Sequence, residues 1–146
     1  MTSKPEGWLG RQFETEVLVR PDDIDMNRHV HNSRYFDYVL AARYDQMARC
    51  YGMAMDEFIR LGFGWVVATA HLEYKRPLSL GDIAIVRTRV DAVGKSTVGV
   101  SFQIYRKQTG KLACDGRFEY AMVSLETGRA TAIPEWIVEK YSVSDF

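Results

Sequence analysis

At 146 residues with 47% apolar side chains, the chain has the size and composition of one domain with one hydrophobic core, and residues 1–146 are read as a single unit. Nineteen Lys plus Arg balance nineteen Asp plus Glu, so the net charge is zero and no overall field gathers nucleic acid or an anionic membrane surface. An anionic ligand is therefore met by a local patch.

The amino-terminal segment Met1–Trp8 has no apolar run of the kind a signal peptide needs, and no stretch approaches the ~20 apolar residues of a membrane span. The expected location is the cytoplasm. The first regular element is a strand over Phe13 to Arg20, stopped by Pro21 and the acidic pair Asp22-Asp23. A polar loop follows. From about Val30 the pattern turns helical, with Phe36, Val39, Leu40, Arg43, Met47 and Cys50 at three- and four-residue steps and only Arg43 interrupting the apolar stripe. Asn32 or Ser33 is the expected cap and Gly52 the expected end, giving a helix roughly 30 Å long at ~1.5 Å per residue.

A short second helix is expected from Met55 to Leu61, after which the period changes to two. Val66, Ala68, Ala70, Leu72 and Tyr74 are assigned to one strand face, and Thr69, His71 and Glu73 to the other. Three further strands, about Ile83 to Val93, Thr97 to Arg106 and Leu112 to Leu125, are separated by turns at Gly94-Lys95 and Gln108–Lys111. Pro134 opens a last short strand or helix. The architecture expected from these patterns is α+β, one long helix packed on an antiparallel sheet of four to six strands.

The densest polar cluster, Asp22 to Asn32, lies in the loop that feeds the long helix. The first N–H groups of a helix lack internal partners and carry partial positive charge, so they hold a carbonyl oxygen as it becomes negative. A carboxylate next to them attacks that carbonyl or deprotonates a water that does.

The run Arg20 to Tyr35, RPDDIDMNRHVHNSRY, resembles the D-x-D-x-x-x-H-V-N-N-x-x-Y signature of the 4-hydroxybenzoyl-CoA thioesterase-like family, acyl-CoA thioesterases of the hotdog fold. Leu72 to Asp82 is similar to the family's strand-turn segment and Ile133 to Trp136 to its ending, so the resemblance runs from about Phe13 to Trp136. It implies a hotdog fold, hydrolysis of an acyl-CoA or acyl-ACP thioester without a cofactor, and a homodimer or dimer of dimers. It also places the catalytic role on Asp25, the second aspartate of D-x-D. The run Asp25-x-Asn27-x-His29 with Glu73 is similar to plant acyl-ACP thioesterases, implying supporting roles for Asn27, His29 and Glu73. By the same resemblance the oxyanion donor is a backbone N–H near Asn32, within Val30, His31 and Asn32. Arg28 and His31 stand where many members carry Gly and Asn.

Other readings of these residues remain open. Asp25 also fits a turn cap, and His71 and Glu73 a solvated strand face. The His29-x-His31 pair lacks a fixed third ligand, so no metal is expected. Cys50 and Cys114 fall on apolar faces, where cysteine behaves as a small hydrophobe rather than a nucleophile. Lys75, Arg76, Arg87, Arg89 and Lys95 are candidates for coenzyme A phosphates on charge alone. The competing functions are a hotdog hydratase or dehydratase and a non-catalytic acyl-CoA-binding module.

Overall fold

A computed structural model describes residues 11–141; the segment Met1–Trp8, for which the sequence predicts no targeting signal, lies outside them. Five antiparallel strands, β1 (Gln12–Leu18), β2 (Phe63–Tyr74), β3 (Ile83–Val93), β4 (Thr97–Arg106) and β5 (Leu112–Ser124), form one sheet in the order β1-β3-β4-β5-β2. Three helices accompany it: α1 (Asn32–Arg49), α2 (Met55–Arg60) and α3 (Glu135–Lys140). The 18-residue α1 lies along one face of the sheet, the arrangement implied by the resemblance to hotdog proteins. No helix among the described residues is long and apolar enough to cross a membrane.

The core follows from the two periodicities. On α1, Tyr35, Tyr38, Val39, Ala42, Arg43, Gln46 and Met47 are buried, one stripe at three- and four-residue steps. The sheet meets it with Val86, Phe102, Ile104 and Phe118, each fully buried. A second cluster at the carboxyl end of α1 joins Met47, Met53, Phe58, Met122 and Ile137. The expected stripe is thus present but broader, because two tyrosines and a glutamine share it.

Three expectations change. Strand β1 ends at Leu18 rather than Arg20, because the Val19 N–H bonds the Asp82 carbonyl and Arg20 opens a 3-10 turn over Pro21–Asp23. The cap of α1 is His31, whose ring Nδ1 accepts from the Ser33 N–H at 3.2 Å, and not Asn32 or Ser33. The single face assigned to Val66, Ala68, Ala70, Leu72 and Tyr74 does not exist. The register of β2 against β5 shifts between Val67 and Thr69, so Ala68 is an extra residue and the alternation changes phase there. Before the bulge Trp65 and Val67 face the helix; after it Leu72 does, while Val66 is 47% exposed.

The other face of the sheet is charged. Arg87 pairs with Glu14 and lies over the Tyr105 ring, Lys107 pairs with Glu16, and Arg117 forks onto Asp91. Such exposed pairs contribute little stability each, ~0–1 kcal/mol, but they keep the face hydrated.

Candidate functional site

The loop between β1 and α1 folds onto itself. Ile24 and Val30 form an isolated antiparallel bridge, the Asp25 N–H donates to the His29 carbonyl at 2.8 Å, and the Arg28 N–H donates to the Asp25 carbonyl at 3.0 Å. Inside this small hairpin the Asp25 Oδ1 accepts from the Asn27 N–H at 2.8 Å and the His29 N–H at 3.3 Å. The second oxygen, Oδ2, has no hydrogen-bond partner among the described residues. One carboxylate oxygen is anchored and the other is available.

Closing so short a loop forces Arg28 to φ 68°, in the left-handed region. An L-residue there costs roughly 1–2 kcal/mol, which accounts physically for the glycine that many members of the resembled family carry at this place.

The loop is pinned from below by a residue given no role in the sequence reading, Asp23. Its Oδ2 accepts from the Tyr38 hydroxyl at 2.7 Å and the Arg20 N–H at 2.9 Å, and Arg34 lies 3.5 Å from its Oδ1. Burial, then the hydrogen bond to this carboxylate, push the Tyr38 hydroxyl well above the ordinary tyrosine range. The Asp23 carbonyl also holds the His31 N–H at 2.8 Å.

At the start of α1 the backbone donors are nearly all engaged. The Val30 N–H goes to the Leu78 carbonyl, His31 to Asp23, Ser33 to the His31 ring and Arg34 to the His31 carbonyl. Only the Asn32 N–H in this stretch has no partner among the described residues. Of Val30, His31 and Asn32, therefore, Asn32 alone presents a free donor at the positive end of the helix.

Two tyrosines fix the neighbouring strand to that end. The Tyr74 hydroxyl donates to the Asn32 carbonyl at 3.1 Å, and its ring meets Tyr35 edge-on at 5.3 Å. Tyr35 in turn accepts the Leu78 N–H at 3.1 Å, and its hydroxyl is raised by burial first, with the Asp25 charge a lesser cause. Tyr35 closes the signature quoted from Arg20, whereas Tyr38 belongs to no motif; nothing in the sequence marked either hydroxyl.

The remaining site candidates are placed less closely. Asn27 and His29 meet Asp25 through their main-chain N–H groups, and their side chains are exposed. Glu73 is not brought to Asp25. Its carboxylate binds His71 Nε2 at 2.9 Å and Lys75 Nζ at 2.9 Å, which together hold it down at about 2, the histidine bond being the larger cause. Among the proposed phosphate cations Lys75 and Arg87 are already ion-paired, and Arg76 donates to the Leu112 carbonyl. Burial raises both thiols, Cys114 to about 12, so neither is a ready thiolate.

Comparison with known proteins gives a consistent set. Residues 19–141 match the model of the thioesterase-like superfamily. The long-chain acyl-CoA thioesterase FadM of Escherichia coli (strain K12) is 26% identical over 129 residues, 88% of this chain and 96% of that protein. The hypothetical protein TT1821 from Thermus thermophilus superposes with a TM-score of 0.83 at 27% identity, covering 90% of this chain and 98% of its own. The 1,4-dihydroxy-2-naphthoyl-CoA thioesterase Slr0204 from Synechocystis shares the fold at 15% identity, with a TM-score of 0.79 over 90% of this chain and 96% of its own.

Proposed function

The chain belongs to the thioesterase-like superfamily, and from that membership we propose that it hydrolyses an acyl-CoA thioester to a free acid and coenzyme A, with Asp25 as its catalytic carboxylate. The observation that carries the reading is the pairing of a half-anchored carboxylate, Asp25, with the unpartnered Asn32 N–H at the start of α1. FadM, named for long-chain acyl-CoA, supports coenzyme A as the carrier.

As general base, the free Oδ2 of Asp25 takes a proton from water while the water oxygen bonds to the thioester carbon. The carbonyl electrons move onto oxygen, where the Asn32 N–H and the helix end stabilise the charge. Re-forming the carbonyl breaks the carbon–sulfur bond, and the departing sulfur takes the proton from Asp25. One water is consumed and one thiol released. As nucleophile, the same oxygen attacks the carbonyl directly and the resulting mixed anhydride is then hydrolysed. In either route Asn27 and His29 act through their N–H groups by fixing the loop.

Release of free thiol from a panel of short, long and aromatic acyl-CoA substrates tests the reaction. Stoichiometric acid and thiol are expected; tight binding of every thioester with no turnover would replace the enzyme by a binding module.

Assembly belongs to the same proposal. Strand β2 is an edge strand of 12 residues, whose outer ladder groups have no strand beside them among the described residues. We expect a homodimer, or a dimer of dimers, that covers this edge. Glu73, on the outward side of β2, enters the site only through such an assembly. Sedimentation at micromolar concentration is expected to show a dimer or tetramer; monomer alone would remove Glu73 from the site.

A further inference from the structure

Between α1 and the sheet, beyond the Asp25 loop, lies a cavity of about 340 Å³, walled by Leu40, Arg43, Trp65, Val67, Tyr120 and Ile137 among others. This is the small end of the roughly 300–1,000 Å³ range of ligand pockets. No acidic residue lines it among the described residues.

The Tyr141 hydroxyl on its wall donates to the Met53 carbonyl at 2.6 Å, but three other donors there are poorly answered. Arg43 is only 8% exposed, yet has no carboxylate partner among the described residues. Its one hydrogen bond is long, 3.4 Å from Nη1 to the Thr88 hydroxyl, and its guanidinium lies 5.5 Å from the centre of the Tyr51 ring. A guanidinium carries five N–H donors, so the Thr88 hydroxyl answers only one of them, although none of the Arg43 nitrogens is both fully buried and unpartnered. The Tyr120 hydroxyl and the Trp65 indole Nε1 are buried and also unpartnered. Burial pushes the Tyr120 hydroxyl up to about 12, against the opposing effect of Arg43, so it remains a donor at neutral pH. Holding a cation in a mostly apolar wall with no carboxylate partner among the described residues is costly, and two orphaned neutral donors on the same wall add to the cost. An acceptor entering the cavity, best an anion, lowers this cost, because all three residues line it.

We infer that this cavity receives the far end of the acyl chain and that Arg43, with Tyr120 and Trp65, selects acyl groups ending in a carboxylate. The inference rests on the thioesterase reading and names its substrate class. Leu40 lies eight residues along α1 from Asn32, about 12 Å at ~1.5 Å per residue, and Arg43 about 17 Å. The Arg43 guanidinium reaches Thr88 and the Tyr51 ring, so the span is not shortened by the side chain, but a hydrogen bond of about 2.9 Å at each end takes up part of it. At roughly 1.2 Å per bond, a third of the ~3.6 Å of an extended residue, a chain of about ten to twelve carbons reaches it.

The test compares dodecanedioyl-CoA with dodecanoyl-CoA on the full chain and on Arg43→Met, which keeps an unbranched side chain and removes the cation. The wild type is expected to favour the diacid thioester in kcat/KM by roughly 10- to 100-fold, the worth of a charge-assisted hydrogen bond, and Arg43→Met to erase that ratio. A ratio at or below one in the wild type, or a ratio unchanged in Arg43→Met, would overturn the inference. Should Arg43→Met fail to fold, Tyr120→Phe replaces it; a several-fold drop in the ratio is expected, and an unchanged ratio counts against it. Calorimetry with decanoate and decanol separates this idea from the reaction itself. Tighter binding of decanoate, lost in Arg43→Met, upholds the anion site even if no thioester is cleaved, whereas equal binding of the two by the wild type removes it.

Discussion

Replacing Asp25 by asparagine is expected to lower kcat for thioester hydrolysis by at least ~10²- to 10⁴-fold, the usual contribution of a positioned acid–base group. The substitution is nearly silent structurally. Asparagine's carbonyl oxygen still accepts from the Asn27 and His29 N–H groups, as Asp25 Oδ1 does at 2.8 and 3.3 Å, so the loop keeps its anchor. What changes is the other atom, where an amide that neither attacks nor takes a proton replaces the free oxygen. The loss therefore falls on kcat, with KM and the unfolding midpoint little altered. Near-normal turnover in a folded Asp25→Asn protein would show that hydrolysis does not depend on this carboxylate.

Two residues earlier, Asp23→Ala is expected to act on stability instead. The Tyr38 hydroxyl, donating at 2.7 Å from a residue only 5% exposed, is left with no acceptor, and the Arg20 N–H loses its own, while Arg34 keeps Asp37. An orphaned buried donor and the lost Arg20 anchor together cost about 2 kcal/mol. Urea unfolding reads this directly, and a Tyr38→Phe background recovers part of the loss, because the hydroxyl that would be orphaned is gone. A change below about 0.5 kcal/mol would mean that Asp23 is not the pin under the loop.

The two aspartates of the D-x-D run thus divide the work, and only Asp25 carried a role in the sequence. Asp25 was found by resemblance and by its place before a helix. Asp23 was passed over because its importance comes from Tyr38, fifteen residues away, and no local pattern encodes that contact. Most strands were legible because alternation is strong where one face is buried, as for Val100, Phe102 and Ile104. The helix was legible from its stripe, but its cap was not, since histidine at the N-cap works through a ring nitrogen and lies outside the usual Ser, Thr, Asp and Asn signals. Arg43 was seen as an interruption in that stripe; only the cavity around it gives the interruption a meaning.

The phase change at Ala68 bears on how the chain finds its register. Pairing β2 with β5 without the extra residue would keep a single face along the strand, with Val66 and Ala68 inside beside Leu72, and would expel Trp65 and Val67 to solvent. That competitor agrees with the simple alternation of the sequence and lacks only the larger side chains packed inside in the native pairing. Its continuous ladder would satisfy the backbone as well as the native pairing does, so the choice between them falls to the side chains. The native pairing instead sets Trp65 against Phe58 at 5.6 Å between ring centres, so the side chain that walls the cavity also favours the correct strand alignment.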